Sequence, residues 1–320
     1  MKEVPTIMSS QEILDKAFRR VKKVMVTDLT GTRKTKAEAM GRLSALSHTI
    51  SAVLKKYVRT FPSLDQVHPF ERELIDITVG LDELRHSLGA IDWARKTTEG
   101  IHKSETARIK SSSSKTDIMN AQNSAYGRIS SVMNRVSGEL EFLNQARDKL
   151  RDMPSINAEE IVIVVAGCPN VGKSQIVERI SSGKPIIACY PFTTKGVSIG
   201  HLQVGYDRVQ VMDTPGLLDR ELEARNKIEL QAIAALEHLA NIVIYVFDPS
   251  ETCGYTIETQ KNLRDQIIAT FPNVPSIMVS NKSDLTQSEL GINISASNGN
   301  GVEELVSAIE NAVKIALIGT

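Results

Sequence analysis

The stretch Gly167-Cys168-Pro169-Asn170-Val171-Gly172-Lys173-Ser174 carries the spacing G-x-x-x-x-G-K-S between an apolar run, Ile161 to Ala166, and a helical pattern. That spacing builds a phosphate-binding loop. Backbone N–H groups cradle the phosphates, the Lys173 ammonium reaches their outer oxygens, and the Ser174 hydroxyl ligates Mg²⁺. The N-terminus of the helix behind the loop adds a favourable dipole, and Gly172 lets the backbone come close. Pro169, Asn170, Val171, Gly172, Lys173, Ser174 and Gln175 are the candidate nucleotide contacts of this loop.

Three further motifs follow in order. Asp213-Thr214-Pro215-Gly216 ends the strand-like run Val209 to Met212. Asp213 would hold Mg²⁺ through water, and the Gly216 N–H would face the γ-phosphate. Asn281-Lys282-Ser283-Asp284 has the spacing N-K-x-D, the guanine-reading element of GTPases. The two oxygens of Asp284 can accept from the guanine ring N–H and its exocyclic amine. Adenine offers no such donor pair, which is worth roughly 1 to 3 kcal/mol by analogy with bidentate base contacts. Ser295-Ala296-Ser297 then follows a short strand, where the Ala296 N–H would meet the guanine carbonyl. Together these residues resemble the translation-factor class of P-loop GTPases, since ATPases of that fold lack N-K-x-D.

Between Ser174 and Asp213 a threonine is needed whose hydroxyl completes the Mg²⁺ shell and whose loop is released on hydrolysis. Thr194 is favoured over Thr193 in Tyr190-Pro191-Phe192-Thr193-Thr194-Lys195-Gly196. Lys173, Thr194 and Gly216 are accordingly the candidates for acting on the reacting phosphate.

The elements that must position these residues fall into two groups. The chain has 320 residues, long for one domain and natural for two. Its zero net charge conceals an asymmetry, because residues 1–150 hold 25 Lys+Arg against 18 Asp+Glu while 151–320 hold 13 against 20. Amphipathic patterns fill the first part. Ser9-Ser10-Gln11-Glu12 is a capping box ahead of Leu14, Ala17, Phe18, Val21 and Val24. Leu43, Leu46, Ile50, Val53 and Tyr57 stripe a second helix, bounded by Pro62. A pattern from Pro69 carries Leu81, Leu84, Leu88, Ile91 and Ala94, and Gly80 and Gly89 leave open whether it is one helix or two. After the serine run Ser111 to Ser114, a long stripe joins Ile129, Val132, Val136, Leu140, Leu143 and Leu150. Helices without strand signals predict an antiparallel bundle over 1–153.

Met153, Pro154 and the polar residues around them mark a linker over 154–159. Beyond it, the spacing predicts strand 161–166, helix 172–182, strands near 196–204 and 208–213, helix 221–239, strand 241–247, helix 256–270, strand 275–280, a strand near 291–295 and helix 302–317. This is a doubly wound, mostly parallel α/β domain over 160–320. No apolar run approaches the roughly 20 residues that span a bilayer. Cys168, Cys189 and Cys253 are dispersed, without C-x-x-C spacing, which fits a reducing cytoplasm and not a zinc site. Cys168 reads as a tolerated small side chain.

The pattern P-F-T-T and the phosphate loop's N-x-G-K-S resemble the Obg-related GTPases. Asn226 to Leu239, Val246 to Gly254 and Pro154-Ser155-Ile156 resemble the nucleolar GTP-binding (Nog) family, which also places a helical domain of this size before its GTPase domain. The resemblance implies a cytoplasmic GTPase using GTP, GDP and Mg²⁺ in assembly of the large ribosomal subunit. Its partners would be ribosomal RNA and proteins met through the helical domain, with no membrane or DNA partner, and it would be a monomer. Gln175 departs from the family's serine or threonine. The end at Thr320 resembles a compact archaeal-type form without the C-terminal extension. The competing readings are a targeting GTPase, which would carry D-T-A-G, and a nucleotide-stabilised scaffold with negligible turnover.

Two further expectations follow. Lys16, Arg19, Arg20, Lys22, Lys23, Arg33, Lys34 and Lys36 lie within 21 residues holding one acid, Asp28. Such a density either meets the backbone of structured RNA or is an ordinary solvated face. Leu217 stands where many regulatory GTPases carry the water-orienting glutamine, so charge in the transition state must be met otherwise. In GTPases that resemble this one and carry asparagine at the place of Asn170, a monovalent cation, K⁺ here, is held beside the phosphates.

Overall fold

The computed structural model describes residues 4–27, 29–61, 63–151, 157, 160–188, 196–220 and 225–318. These form two compact units, 1–66 with 79–151, and 67–78 with 152–320.

The first unit is all helix. α1 (Ser10–Val21) begins where Ser9 and Glu12 exchange side-chain to backbone hydrogen bonds, and it buries Ile13, Leu14 and Ala17. α2 (Gly31–Thr60) buries Leu43, Leu46, Ile50, Leu54 and Tyr57, so Leu54 takes the core place next to the half-buried Val53. α4 (Leu81–Ser111) runs unbroken through Gly89. The break lies at Gly80, whose φ of 79° is a left-handed conformation that suits glycine. α2 packs on α1, α4 and α5 (Lys115–Arg135), while α6 (Ser137–Arg151) lies against α4 and α5. The stripe expected to be continuous from Ile129 to Leu150 is divided at Val136, which leaves helical geometry while remaining buried.

The second unit is built on a seven-stranded sheet in the order β2-β3-β4-β1-β5-β6-β7. Its strands are β1 (Ile161–Ala166), β2 (Ile186–Ala188), β3 (Val197–Val204), β4 (Asp207–Asp213), β5 (Ile242–Phe247), β6 (Ser276–Ser280) and β7 (Ile292–Asn293). β1 runs parallel to both β4 and β5, β5, β6 and β7 pair in parallel, and β3 runs against the other strands, pairing antiparallel with β2 and with β4. The central β1 is buried from Val162 to Ala166, as a parallel strand covered on both faces must be. α7 (Lys173–Ile180), α8 (Lys227–Glu237), α9 (Ile257–Thr270) and α10 (Val302–Ile318) follow the parallel strands. The three-residue edge strand β2 has no counterpart in the sequence pattern.

α3 (Pro69–Val79) joins this second unit, although it stands among the bundle helices in the chain. Phe70 and Leu74 are buried in the same apolar core as the sheet residues. The alternation of strands and helices puts the ends of β1, β4, β5 and β6 at one rim of the sheet, where loops gather in such folds.

Candidate nucleotide-binding site

The phosphate loop leaves β1 through Gly167, whose φ is 140° and whose Cα lies so close to the Val246 carbonyl that a side chain there would collide with it. It enters α7 through Gly172, φ 99°, where a Cβ would strike the Asn281 amide. Both glycines are required by close backbone approach. Asn170 between them is an exposed non-glycine residue held at φ 62°.

Lys173 is buried, and its ammonium donates to the carbonyls of Gly167 at 2.8 Å and Cys168 at 2.9 Å. The Ser174 hydroxyl donates to Asp213 Oδ2 in a very short contact, while the buried Oδ1 of Asp213 has no partner among the described residues. A hydroxyl and a carboxylate in contact, with one carboxylate oxygen unspent, suit a hard dication that keeps most of its shell for water and phosphate. Mg²⁺ therefore fits this pair. Burial pushes the Asp213 carboxyl above its ordinary value, and the Ser174 hydroxyl and Lys173 ammonium only partly offset this. Burial likewise pushes the Lys173 ammonium down, opposed by the Asp213 and Asp219 carboxylates. A dication beside Asp213 and a polyphosphate beside Lys173 would each restore the charged form.

Gly216, at φ 83°, donates its N–H to Asp219 Oδ2 at 2.7 Å. Leu217 and Leu218 are buried, and the Leu218 carbonyl accepts from the Gly167 N–H at 3.1 Å, tying this loop to the phosphate loop. Arg225, which the sequence pattern did not single out, is buried too. It donates to the carbonyls of Gly216, at 3.2 Å, and of Arg220. Its only signal in sequence is its place just before the Asn226 capping box. Thr193 and Thr194 lie outside the described residues, as do Cys189 and Lys195.

The base-reading motif sits at the end of β6. Asn281 is buried, and its side chain donates to the Val171 carbonyl at 2.8 Å and accepts from the Ala296 N–H at 3.0 Å. One amide thus stitches the phosphate loop to the Ser295-Ala296-Ser297 loop. The Ala296 N–H, expected to meet a base carbonyl, is engaged with Asn281. Asp284 is exposed and one of its oxygens accepts from the Ser295 hydroxyl at 2.5 Å. Arg179 on α7 donates to the carbonyls of Ala296 at 2.9 Å and Ser297 at 2.7 Å. A cleft of about 410 Å³ is lined by Gln175, Glu178, Arg179, Ala296 and Ser297, which places the departing Gln175 beside the base-reading loop.

Cys168 is a buried free thiol pushed up to about 11, above all by burial, so it is a small core side chain and no nucleophile at neutral pH. Among the described residues no three His, Cys, Asp or Glu side chains group to hold a metal, and no helix is long and apolar enough to cross a membrane.

In the first unit, Lys16, Arg19, Arg20, Lys22, Lys23 and Arg33 are exposed, and Lys34 and Lys36 are half-buried. Lys36 spends its ammonium on the Lys110 carbonyl at 2.7 Å, Arg19 donates to the Asp15 carbonyl, and Arg20 reaches the Thr49 hydroxyl at 3.5 Å. Asp28 lies outside the described residues.

Residues 1–157 match the family described as the NOG1 N-terminal helical domain, and 227–284 match that described as nucleolar GTP-binding protein 1 (NOG1). An uncharacterized protein of Methanocaldococcus jannaschii is 34% identical over 292 residues, 90% of this chain and 82% of that one. The nucleolar GTP-binding protein 1 of Drosophila melanogaster is 37% identical over 74% of this chain, and that of Saccharomyces cerevisiae 32% identical over 90%. The chain spans 36% and 45% of the length of these two. A crystal structure from Plasmodium falciparum, described as a nucleolar GTP-binding protein 1, is 30% identical with a TM-score of 0.47, covering 52% of this chain and 93% of that one.

Proposed function

Because the chain belongs to the nucleolar GTP-binding protein 1 family, we propose that it binds GTP and GDP, hydrolyses GTP slowly, and acts as a switch in assembly of the large ribosomal subunit. The observation that carries the nucleotide reading is the Asn281 side chain, which joins the phosphate loop to the Ala296 loop beside Asp284. A loop for phosphates and a carboxylate for the base are thereby fixed at one spacing.

In this reading Lys173 supplies a fixed positive charge to the outer phosphates. Ser174 and Asp213 hold Mg²⁺, with Thr194 contributed by the loop outside the described residues. The metal, when bound, neutralises charge that develops on the transferred group. Asp284 orients the base, and the Gly216 N–H exchanges Asp219 for a phosphate oxygen. Asn170, exposed at the rim of the loop, holds K⁺ in place of an arginine. A helical domain over 1–153, of which 67–78 packs with the GTPase unit, meets ribosomal RNA and protein through Lys16, Arg19, Arg20, Lys23, Arg33, Lys34 and Lys36. A linker over 154–159 joins it to the GTPase domain over 160–320, and the protein works as a cytoplasmic monomer.

Titration of pure protein with GDP and ADP, followed by turnover with and without large ribosomal subunits in K⁺, tests the reading. A strong preference for GDP and turnover raised by the particles are expected. Equal affinity for guanine and adenine nucleotides would remove it. One observation favours a scaffold with negligible turnover: the buried Leu217 and Leu218 offer no group that orients water. Turnover that stays at the level of free GTP in buffer, particles present, would select that second reading.

A further inference from the structure

The loop that follows β5 is hydrogen-bonded to the base-reading motif through the tip of Lys282. Asp248, the first residue after β5, is fully buried. Its Oδ1 accepts from the Ser250 N–H at 3.1 Å and the Ser250 hydroxyl at 2.5 Å. Its Oδ2 accepts from the Cys253 N–H at 2.8 Å, the Thr252 hydroxyl at 3.1 Å and the Lys282 ammonium at 2.6 Å. Lys282 also donates to Thr252 Oγ1 at 2.8 Å. Two of the three ammonium protons are therefore aimed at fixed oxygens of this one loop.

The loop is itself held from behind. Gln260 on α9 is buried; its amide oxygen accepts from the Asp248 N–H at 2.7 Å, and its amide nitrogen donates to the Asp248 carbonyl at 3.0 Å and the Tyr255 carbonyl at 2.9 Å. Glu251 at φ 58° turns the chain, and its carboxylate accepts from the Ile257 N–H at 2.7 Å. Lys282 is likewise left-handed, at φ 61°. A buried carboxylate persists only when donors and a cation compensate it. The four neutral donors all come from the residues of this turn and engage both carboxylate oxygens, and the cation that balances the charge is the lysine of the base-reading motif.

We infer that Asp248 is a positioning residue for base recognition: by fixing the Lys282 ammonium it holds the four-carbon stem of that lysine, two residues before Asp284, as a rigid apolar wall for the flat face of a guanine base. The inference rests on the guanine reading of the site. A lysine pinned at its tip has surrendered its rotamer freedom before ligand arrives, worth roughly ten- to thirty-fold in affinity. Burial would push the Asp248 carboxyl up, but Lys282, Ser250 and Cys253 together overcome it and hold it below the ordinary value, consistent with a permanent anion.

The test is a double-mutant cycle on GDP dissociation constants, measured by calorimetry for wild type, Asp248→Asn, Lys282→Met and the double variant. Methionine keeps an apolar stem but lacks the ammonium. Each single variant should weaken GDP about ten- to thirty-fold, and the double should be no weaker than the poorer single within a factor of two. Losses that multiply would show that Asp248 acts independently of Lys282 and overturn the inference. Where Asp248→Asn fails to fold by circular dichroism, Thr252→Val replaces it. That change should cost about three-fold in the wild-type background and nothing beside Lys282→Met; an equal cost in both backgrounds would again refute the inference. A wild-type protein that does not prefer GDP to ADP defeats the guanine reading itself, a separate outcome.

Discussion

Asp284→Asn is the sharpest probe of base choice because the structure says which oxygen is exchanged. The Ser295 hydroxyl donates to Asp284 Oδ1 at 2.5 Å. An amide at this position keeps that bond only by placing its oxygen there, which puts its NH₂ where Oδ2 stands. One acceptor facing the base thus becomes a donor while the loop is otherwise untouched. Against guanine the new donor faces the exocyclic amine, so a contact worth about 1 to 3 kcal/mol is lost and a donor is left unpaired. Because Asp284 is exposed, water relieves part of that cost. The loss should be about 2 kcal/mol, or roughly 30-fold in GTP affinity. Xanthosine triphosphate, which carries a carbonyl where guanine carries the amine, should gain by a similar factor. Competition of both nucleotides against a fluorescent GDP analogue, at fixed salt and Mg²⁺, reads both numbers. Unchanged GTP affinity would refute the assignment, and an equal loss of GTP and XTP would show a damaged loop in place of an altered reader.

Four other outcomes are expected. GTP turnover should be higher in K⁺ than in Na⁺ at constant ionic strength, on the order of ten-fold, and Asn170→Ala should lose the difference while still binding GTP; equal rates in the two salts would leave an external partner as the source of the charge. Asp219→Ala frees the Gly216 N–H that Asp219 now engages at 2.7 Å, and should improve GTP over GDP by about five-fold, measured as the ratio of their dissociation constants. Replacing Arg33, Lys34 and Lys36 by alanine should lower the salt slope of binding to large-subunit RNA by about 2, less than three full charges because Lys36 is partly spent on the Lys110 carbonyl. His102 is held below its ordinary value by burial first and then by the charge of His48, so the folded protein resists its protonation. That stability is present above the unfolded histidine value, near 6.5, and is lost as pH falls toward the lowered one. His102→Gln should therefore flatten the drop in urea midpoint between pH 7.5 and 5, and a slope identical to wild type would count against it.

What the sequence made legible is what chain order alone can carry. G-x-x-x-x-G-K-S, D-x-x-G and N-K-x-D each sit at the end of an apolar strand, and a parallel sheet gathers those ends at one rim whatever the details of packing. The stripes of α2 and α4 showed themselves through their period, with errors of one residue where Leu54 and Ser87 are buried beside Val53 and Leu88. Contacts between distant segments were invisible. α3 follows a bundle helix in sequence and has an ordinary amphipathic pattern, and nothing in that pattern states that Phe70 and Leu74 will be buried among sheet residues. Val136 is apolar and in phase with its neighbours, so the division between α5 and α6 left no trace in periodicity.

The same limit explains why the site's scaffold was harder to see than its chemistry. Three non-glycine residues are left-handed among the described ones, Asn170, Glu251 and Lys282, and all three border the candidate site. Each such conformation costs of order 1 kcal/mol and persists only where surroundings over-determine it. For Lys282 the surroundings are the Asp248 carboxylate and Thr252 hydroxyl at the far end of its own side chain. For Glu251 they are the N-terminus of α9 and the turn that Asp248 closes. Neither constraint is local to the residue it governs, so no propensity could reveal it. The motif residues name the ligand, whereas Asp248, Gln260, Arg179 and Arg225 fix where those residues stand, and their side-chain contacts alone disclose them.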